Sequence, residues 1–164
     1  MNSPKNTSSA AERFVLVGHN ERRPGRTQMP EAFAVKATTD DTVGRLSLLE
    51  VTLVFDIPRH VHHSADEAIY VLEGELGVEF DGRDYTVGPG GFVLLPMGVP
   101  HALSRASTLP PRVLQISSPG GWERYLEDLF EAGPAVLTNG RLDPAKVNKI
   151  AARHDISYEE ESTP

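Results

Sequence analysis

The feature that most constrains this chain is the shortness of its apolar runs. Fourteen glycines and thirteen prolines break a chain of 164 residues into pieces of strand length. An amphipathic helix needs ten or more residues of uninterrupted 3.6-residue periodicity, whereas a strand needs only four to eight. The body of the chain is therefore expected to be all-β, with strands near 13–17, 32–37, 45–55, 68–72, 76–80, 83–87, 92–95, 101–105 and 112–117. Asp81-Gly82 is a two-residue hairpin signal, and Gly88-Pro89-Gly90-Gly91 marks a further turn.

The texture changes after Gly121. Trp122, Tyr125, Leu126, Leu129 and Phe130 recur at helical spacing and form one apolar stripe. Asp143-Pro144 then predicts a second helix, with Asp as N-cap and Pro in the first turn. There is no internal repeat. The reading is a flexible N-terminal segment with a possible strand over 1–28, a barrel over 29–118, a helical extension over 119–158 and an acidic tail over 159–164.

Bulk chemistry excludes several functions. The net charge is −7, which does not suit nucleic acid or an anionic membrane. No stretch approaches the ~20 apolar residues of a membrane span. The polar N-terminus lacks the apolar core of a signal peptide. There is no cysteine, so disulfides and thiolate metal sites are ruled out. A cytoplasmic location is the default expectation.

Two segments carry the chemistry. One is Pro58-Arg59-His60-Val61-His62-His63-Ser64-Ala65-Asp66-Glu67, with Gly74 beyond it. The other runs from Gly90 through Pro96-Met97-Gly98-Val99-Pro100 to His101. Side chains two apart on a strand share a face, so His60 and His62 can reach one ion. Glu67 enters the next strand and can add an oxygen. His101 arrives from a distant hairpin and completes a nitrogen/oxygen set suited to a divalent first-row metal. The plainer reading is that three histidines merely fill a barrel. Burying three imidazoles and a carboxylate without a partner would be costly.

These segments resemble the two motifs of the cupin superfamily, G-x5-H-x-H-x3/4-E-x6-G and G-x5-P-x-G-x2-H-x3-N. His60, His62, Glu67 and Gly74 match the first; Gly90, Pro96, Gly98 and His101 match the second. The opening glycine is replaced by Val54 and the closing asparagine by Arg105. The stretches 67–76 and 118–123 also look like small bacterial proteins grouped with quercetin dioxygenase-like cupins. The resemblance implies a double-stranded β-helix, or jelly-roll barrel, with two C-terminal helices. It also implies one divalent metal per chain (Fe, Mn, Ni, Co, Cu or Zn) and a homodimer.

Four ligands on an octahedral ion leave two positions for water, a bidentate substrate or dioxygen. The activity implied is O2-dependent dioxygenation of a small phenolic or enolic compound. The alternatives are a non-redox isomerase, cyclase or lyase, and a non-catalytic small-molecule binder. Glu67 is the candidate general base. By strand parity Ile69 and Val71 accompany Glu67, and Leu103 and Arg105 accompany His101; these four are candidate substrate contacts. Arg105 would anchor an acidic or phenolate group, unless it pairs with an acid at the barrel mouth or points outward. Parity turns His63 away from the site; a ligand role in place of His62 is the alternative. His19 and His154 read as structural, the latter as a cation at a helix C-terminus. The Trp122 stripe reads as packing against the barrel or a second subunit.

Overall fold

The sequence Ser47-Leu48-Leu49-Glu50-Val51-Thr52 shows how the chain builds its sheets: every second side chain is buried, so one face turns inward. In the computed structural model, which describes residues 10–160, this alternation recurs in most strands of two five-stranded antiparallel sheets. Most of the N-terminal lead-in and of the acidic tail lies outside the described residues. The strands in chain order are Phe33–Ala37 (β1), Ser47–Thr52 (β2), Ile57–His62 (β3), Asp66–Glu73 (β4), Leu76–Phe80 (β5), Arg83–Val87 (β6), Phe92–Leu95 (β7), His101–Arg105 (β8) and Arg112–Ser118 (β9). Helix Trp122–Ala132 (α1), the short strands Leu137–Thr138 (β10) and Arg141–Leu142 (β11), helix Pro144–Ala151 (α2) and strand Ile156–Tyr158 (β12) follow.

One sheet runs β1-β2-β9-β4-β7 and the other β12-β3-β8-β5-β6. The chain steps between sheets at β2–β3, β3–β4, β4–β5, β6–β7, β7–β8 and β8–β9. This is the connectivity of a jelly-roll barrel. Leu49, Ile69, Leu76, Val78 and Leu95 fill its interior at 2% exposure or less.

The hairpin signal at Asp81-Gly82 is realised between β5 and β6, where Phe80 pairs with Arg83. Both turn residues have positive φ, 48° and 76°, as a type I′ turn requires. Gly74 also has positive φ, 69°, and a Cβ there would lie 2.8 Å from the Leu109 carbonyl oxygen. No other residue fits that turn without strain.

The apolar stripe forms α1, with Trp122, Tyr125, Leu126 and Leu129 buried. Burying a leucine of this kind contributes roughly 2 kcal/mol. In α2 the Asp143 side chain accepts from the backbone N–H groups of Ala145 and Lys146, and Pro144 opens the helix.

Three differences from the sequence reading stand out. Residues 13–17 are not a strand: Ala10–Arg13 form a 3-10 turn, and Phe14 and Leu16 are exposed at 79% and 83%. Apolar alternation makes a strand only where a sheet edge is free to receive it. The span expected at 45–55 ends at Thr52, and the histidine segment becomes β3. Finally, β12 pairs with β3, with Tyr158 opposite His60 and Ile156 opposite His62. It covers an edge that would otherwise stand open. Among the described residues no helix is long and apolar enough to cross a membrane.

Candidate metal centre

His60 and His101 are register partners on β3 and β8, and His62 lies two residues along β3. All three imidazoles therefore enter from one sheet. Glu67 enters from the other, on β4 between Leu95 and Ser117. The four side chains are buried, and one ligand atom from each lies within 4.8 Å of all the others. The His60 and His62 Nε2 atoms are 3.0 Å apart. Glu67 Oε2 is 3.1 Å from His101 Nε2 and 3.3 Å from His62 Nε2.

The backbone sets the tautomers. His60 Nδ1 lies 2.8 Å from the Pro58 carbonyl oxygen, and His101 Nδ1 lies 3.1 Å from that of Val99. A carbonyl only accepts, so both Nδ1 atoms carry the proton. In the neutral rings the Nε2 lone pairs then face the common point, the arrangement found in metal-ligating histidines. Nitrogen lone pairs and a carboxylate oxygen at such spacings repel unless a cation or protons lie among them. Neighbouring ligands of an octahedral ion at ~2.1 Å would be about 3 Å apart. The cluster thus fits a divalent ion.

Burial pushes the His60 value down to about 3, with the neighbouring His101 and His62 adding to the effect. Burial also lowers His62. Both are neutral near pH 7, the form that ligates metal. Burial alone would raise Glu67. With a proton between His101 Nε2 and the carboxylate in the metal-free cluster, that hydrogen bond and the neighbouring imidazoles outweigh burial and hold the carboxyl at about 2.

Aromatic rings wall the cluster. Tyr158 stacks on His60 with centroids 4.9 Å apart, and Trp122 lies 5.0 Å from His62. Tyr125 bonds the Tyr158 hydroxyl at 2.9 Å. Glu67 also forms the polar end of an apolar cavity whose lining includes Phe33, Phe55, Ile69, Leu103 and Trp122. Its empty space, including the part open to solvent, is about 580 Å³. Phe55, one of the lining residues, is 36% exposed.

The remaining candidates separate. Ile69 and Leu103 line the cavity; Val71 is buried in the core and Arg105 is exposed, and neither is among the lining residues. The Arg105 backbone N–H donates to Asp56 Oδ1 at 3.2 Å. His63 is exposed, with Nε2 2.7 Å from Ser157 Oγ. His154 lies in the 3-10 turn that follows α2 and bonds Asp128 at 2.8 Å. Sequence reasoning missed Gln115 and Tyr158. Gln115 Nε2 donates to Glu67 Oε1 at 3.2 Å. Its signal was a polar residue at the buried parity of Val113.

Residues 54–117, which contain all four donors and Gln115, match the cupin-domain family Cupin_2. This stretch is similar to a cupin domain. The chain is 40% identical over 45 residues to quercetin 2,3-dioxygenase of Bacillus subtilis, a match covering 27% of this chain and only 13% of that protein. Among solved structures, KdgF from Halomonas sp. is 19% identical, with a TM-score of 0.48, over 60% of this chain and 90% of that one. Pac13, a nucleoside dehydratase from Streptomyces, is 11% identical, with a TM-score of 0.47, over 56% and 72%. Two further motif glycines, Gly90 and Gly98, have positive φ, both at 81°. They reverse the chain before β7 and before His101.

Proposed function

We propose that this protein is a mononuclear metal-dependent enzyme that uses O2 to oxygenate a small phenolic or enolic compound. One observation carries the reading: four buried donors converge on one point, and one of them, Glu67, also lines an apolar cavity. His60, His62, Glu67 and His101 would hold the ion. When bound, a divalent transition metal supplies Lewis acidity that favours the anion of a phenol or enol, and electron exchange with dioxygen.

The residues do the rest. Glu67 accepts the proton released from the substrate hydroxyl, since it is ionised and buried beside the cavity. Gln115 steadies that carboxylate through Oε1. Ile69, Leu103, Phe33 and Phe55 exclude water and accept a flat apolar body. The 45-residue likeness to a quercetin dioxygenase favours oxygenation. The ionised, cavity-facing Glu67 also favours a second reading, a non-redox isomerase, cyclase or lyase with the same base.

The test is metal analysis followed by oxygen-electrode screening of flavonols, catechols and enolic diketones. Oxygen consumption matched to product, abolished by His62→Ala, supports the dioxygenase. Product formed without oxygen uptake moves the assignment to the non-redox reading. Metal binding with no turnover of any compound moves it to a non-catalytic binder.

A further inference from the structure

Gln115 occupies an unusual place. It lies on β9 at the inward parity of Val113 and Ser117, is 4% exposed, and lines the cavity beside Glu67. Its amide orientation is fixed by chemistry. A carboxylate only accepts, so the group 3.2 Å from Glu67 Oε1 is the Nε2 donor. The carbonyl Oε1 is then the free end. It is buried and has no hydrogen-bond partner among the described residues. The amide that steadies Glu67 thus leaves its carbonyl as a buried acceptor without a match, which opposes folding.

We propose that Gln115 Oε1 is the substrate acceptor of this cavity, taking a hydrogen bond from a neutral hydroxyl or N–H. This rests on reading the cavity as the substrate site. It narrows the substrate class. The molecule carries one oxygen for the donor cluster and, on the same small flat body, a group that stays protonated. A carboxylate at that second position would meet Oε1 acceptor to acceptor and be rejected. Gln115 thereby couples the two ends of the site: one amide holds the base by its N–H and the substrate by its carbonyl.

The experiment compares phenol with fluorobenzene, which has similar size and no donor. The full chain is loaded with zinc to keep it diamagnetic. The single tryptophan, Trp122, lines the same cavity, so its one indole N–H resonance reports occupancy. Wild type should bind phenol roughly tenfold tighter than fluorobenzene. Gln115→Leu should bind the two alike, and Gln115→Met gives the same comparison with an unbranched side chain if the leucine variant does not fold. Equal affinities in wild type, binding of neither probe, or a phenol preference that survives both substitutions each overturn the proposal; in the last case zinc alone accounts for the preference. Oxygen uptake is scored separately. A chain that prefers phenol through Gln115 but never consumes oxygen loses the dioxygenase reading and keeps this subsite. A chain that turns over with no such preference does the reverse.

Discussion

Tyr158 lies almost parallel to His60, with ring planes 19° apart, and is its register partner across β12 and β3. The tyrosine is clamped in turn. Its hydroxyl meets that of Tyr125, while Asn148 on α2 accepts from its backbone N–H at 2.7 Å and donates to its carbonyl at 3.0 Å. The helical extension thus sets the orientation of a donor imidazole.

Tyr158→Ala should therefore injure both stability and metal affinity. Removing a buried aromatic ring costs about 3–5 kcal/mol, and loosening a group that orients a ligand typically costs ~10–100-fold in affinity. Tyr158→Phe keeps the stack and loses only the hydroxyl bond, about 1 kcal/mol. Urea midpoints and zinc titrations of the two variants decide. Equal behaviour of Phe and Ala would remove the stacking role.

Purified protein should carry close to one metal per chain by elemental analysis. His62→Ala should weaken retention by roughly tenfold or more while the far-ultraviolet dichroism of the sheets persists. A chain that holds no metal as isolated and refuses added Mn, Fe, Ni and Zn would remove the site altogether.

Acid should destabilise the metal-free protein. His60 titrates at about 3 when folded, against an ordinary value of 6.5. Between those values the unfolded chain holds more protons, so stability falls as pH drops from about 6.5 toward 3. His62 acts in the same direction. Glu67 contributes stability above its ordinary 4.5 that is lost as pH falls toward 2. Together these amount to on the order of a few kcal/mol. Urea midpoints taken from pH 7.5 down to 4 should decline steadily. A flat profile would mean that the histidines are not buried as neutral rings.

We propose a definite face for the homodimer expected from the sequence. Tyr70 and Phe92 are register partners on β4 and β7, and with Leu94 they are 41%, 60% and 51% exposed. Apolar side chains this open beside an edge strand invite a partner. Light scattering should give twice the 17.9 kDa chain mass, and Phe92→Glu with Leu94→Glu should halve it. A wild-type monomer at micromolar concentration would rule this out.

The donor quartet was legible because strand alternation is local: His60-x-His62 announces a shared face wherever the strand lies. The hairpin at Asp81-Gly82 and the cap at Asp143 were legible for the same reason. Tyr158 was not. Ile156-Ser157-Tyr158 is too short to show a period, and its position beside His60 depends on a pairing almost a hundred residues distant in sequence. Gln115 was visible as a polar residue at an inward position, but its relation to Glu67 depends on the pairing of β4 with β9. Residues 13–17 misled because alternation says which side of a strand is apolar and nothing about whether a neighbour is available.

The donors and their wall are made at different times. Synthesis runs from the N-terminus, and the last donor, His101, precedes the start of β12 at Ile156 by 55 positions (156 minus 101). A nascent chain therefore possesses all four ligands while the strand carrying Tyr158 is still unmade. Until β12 is made, the side of β3 that it pairs with in the finished fold lacks that partner. The donors and the ring that stacks on His60 are thus supplied by parts of the chain made at different times.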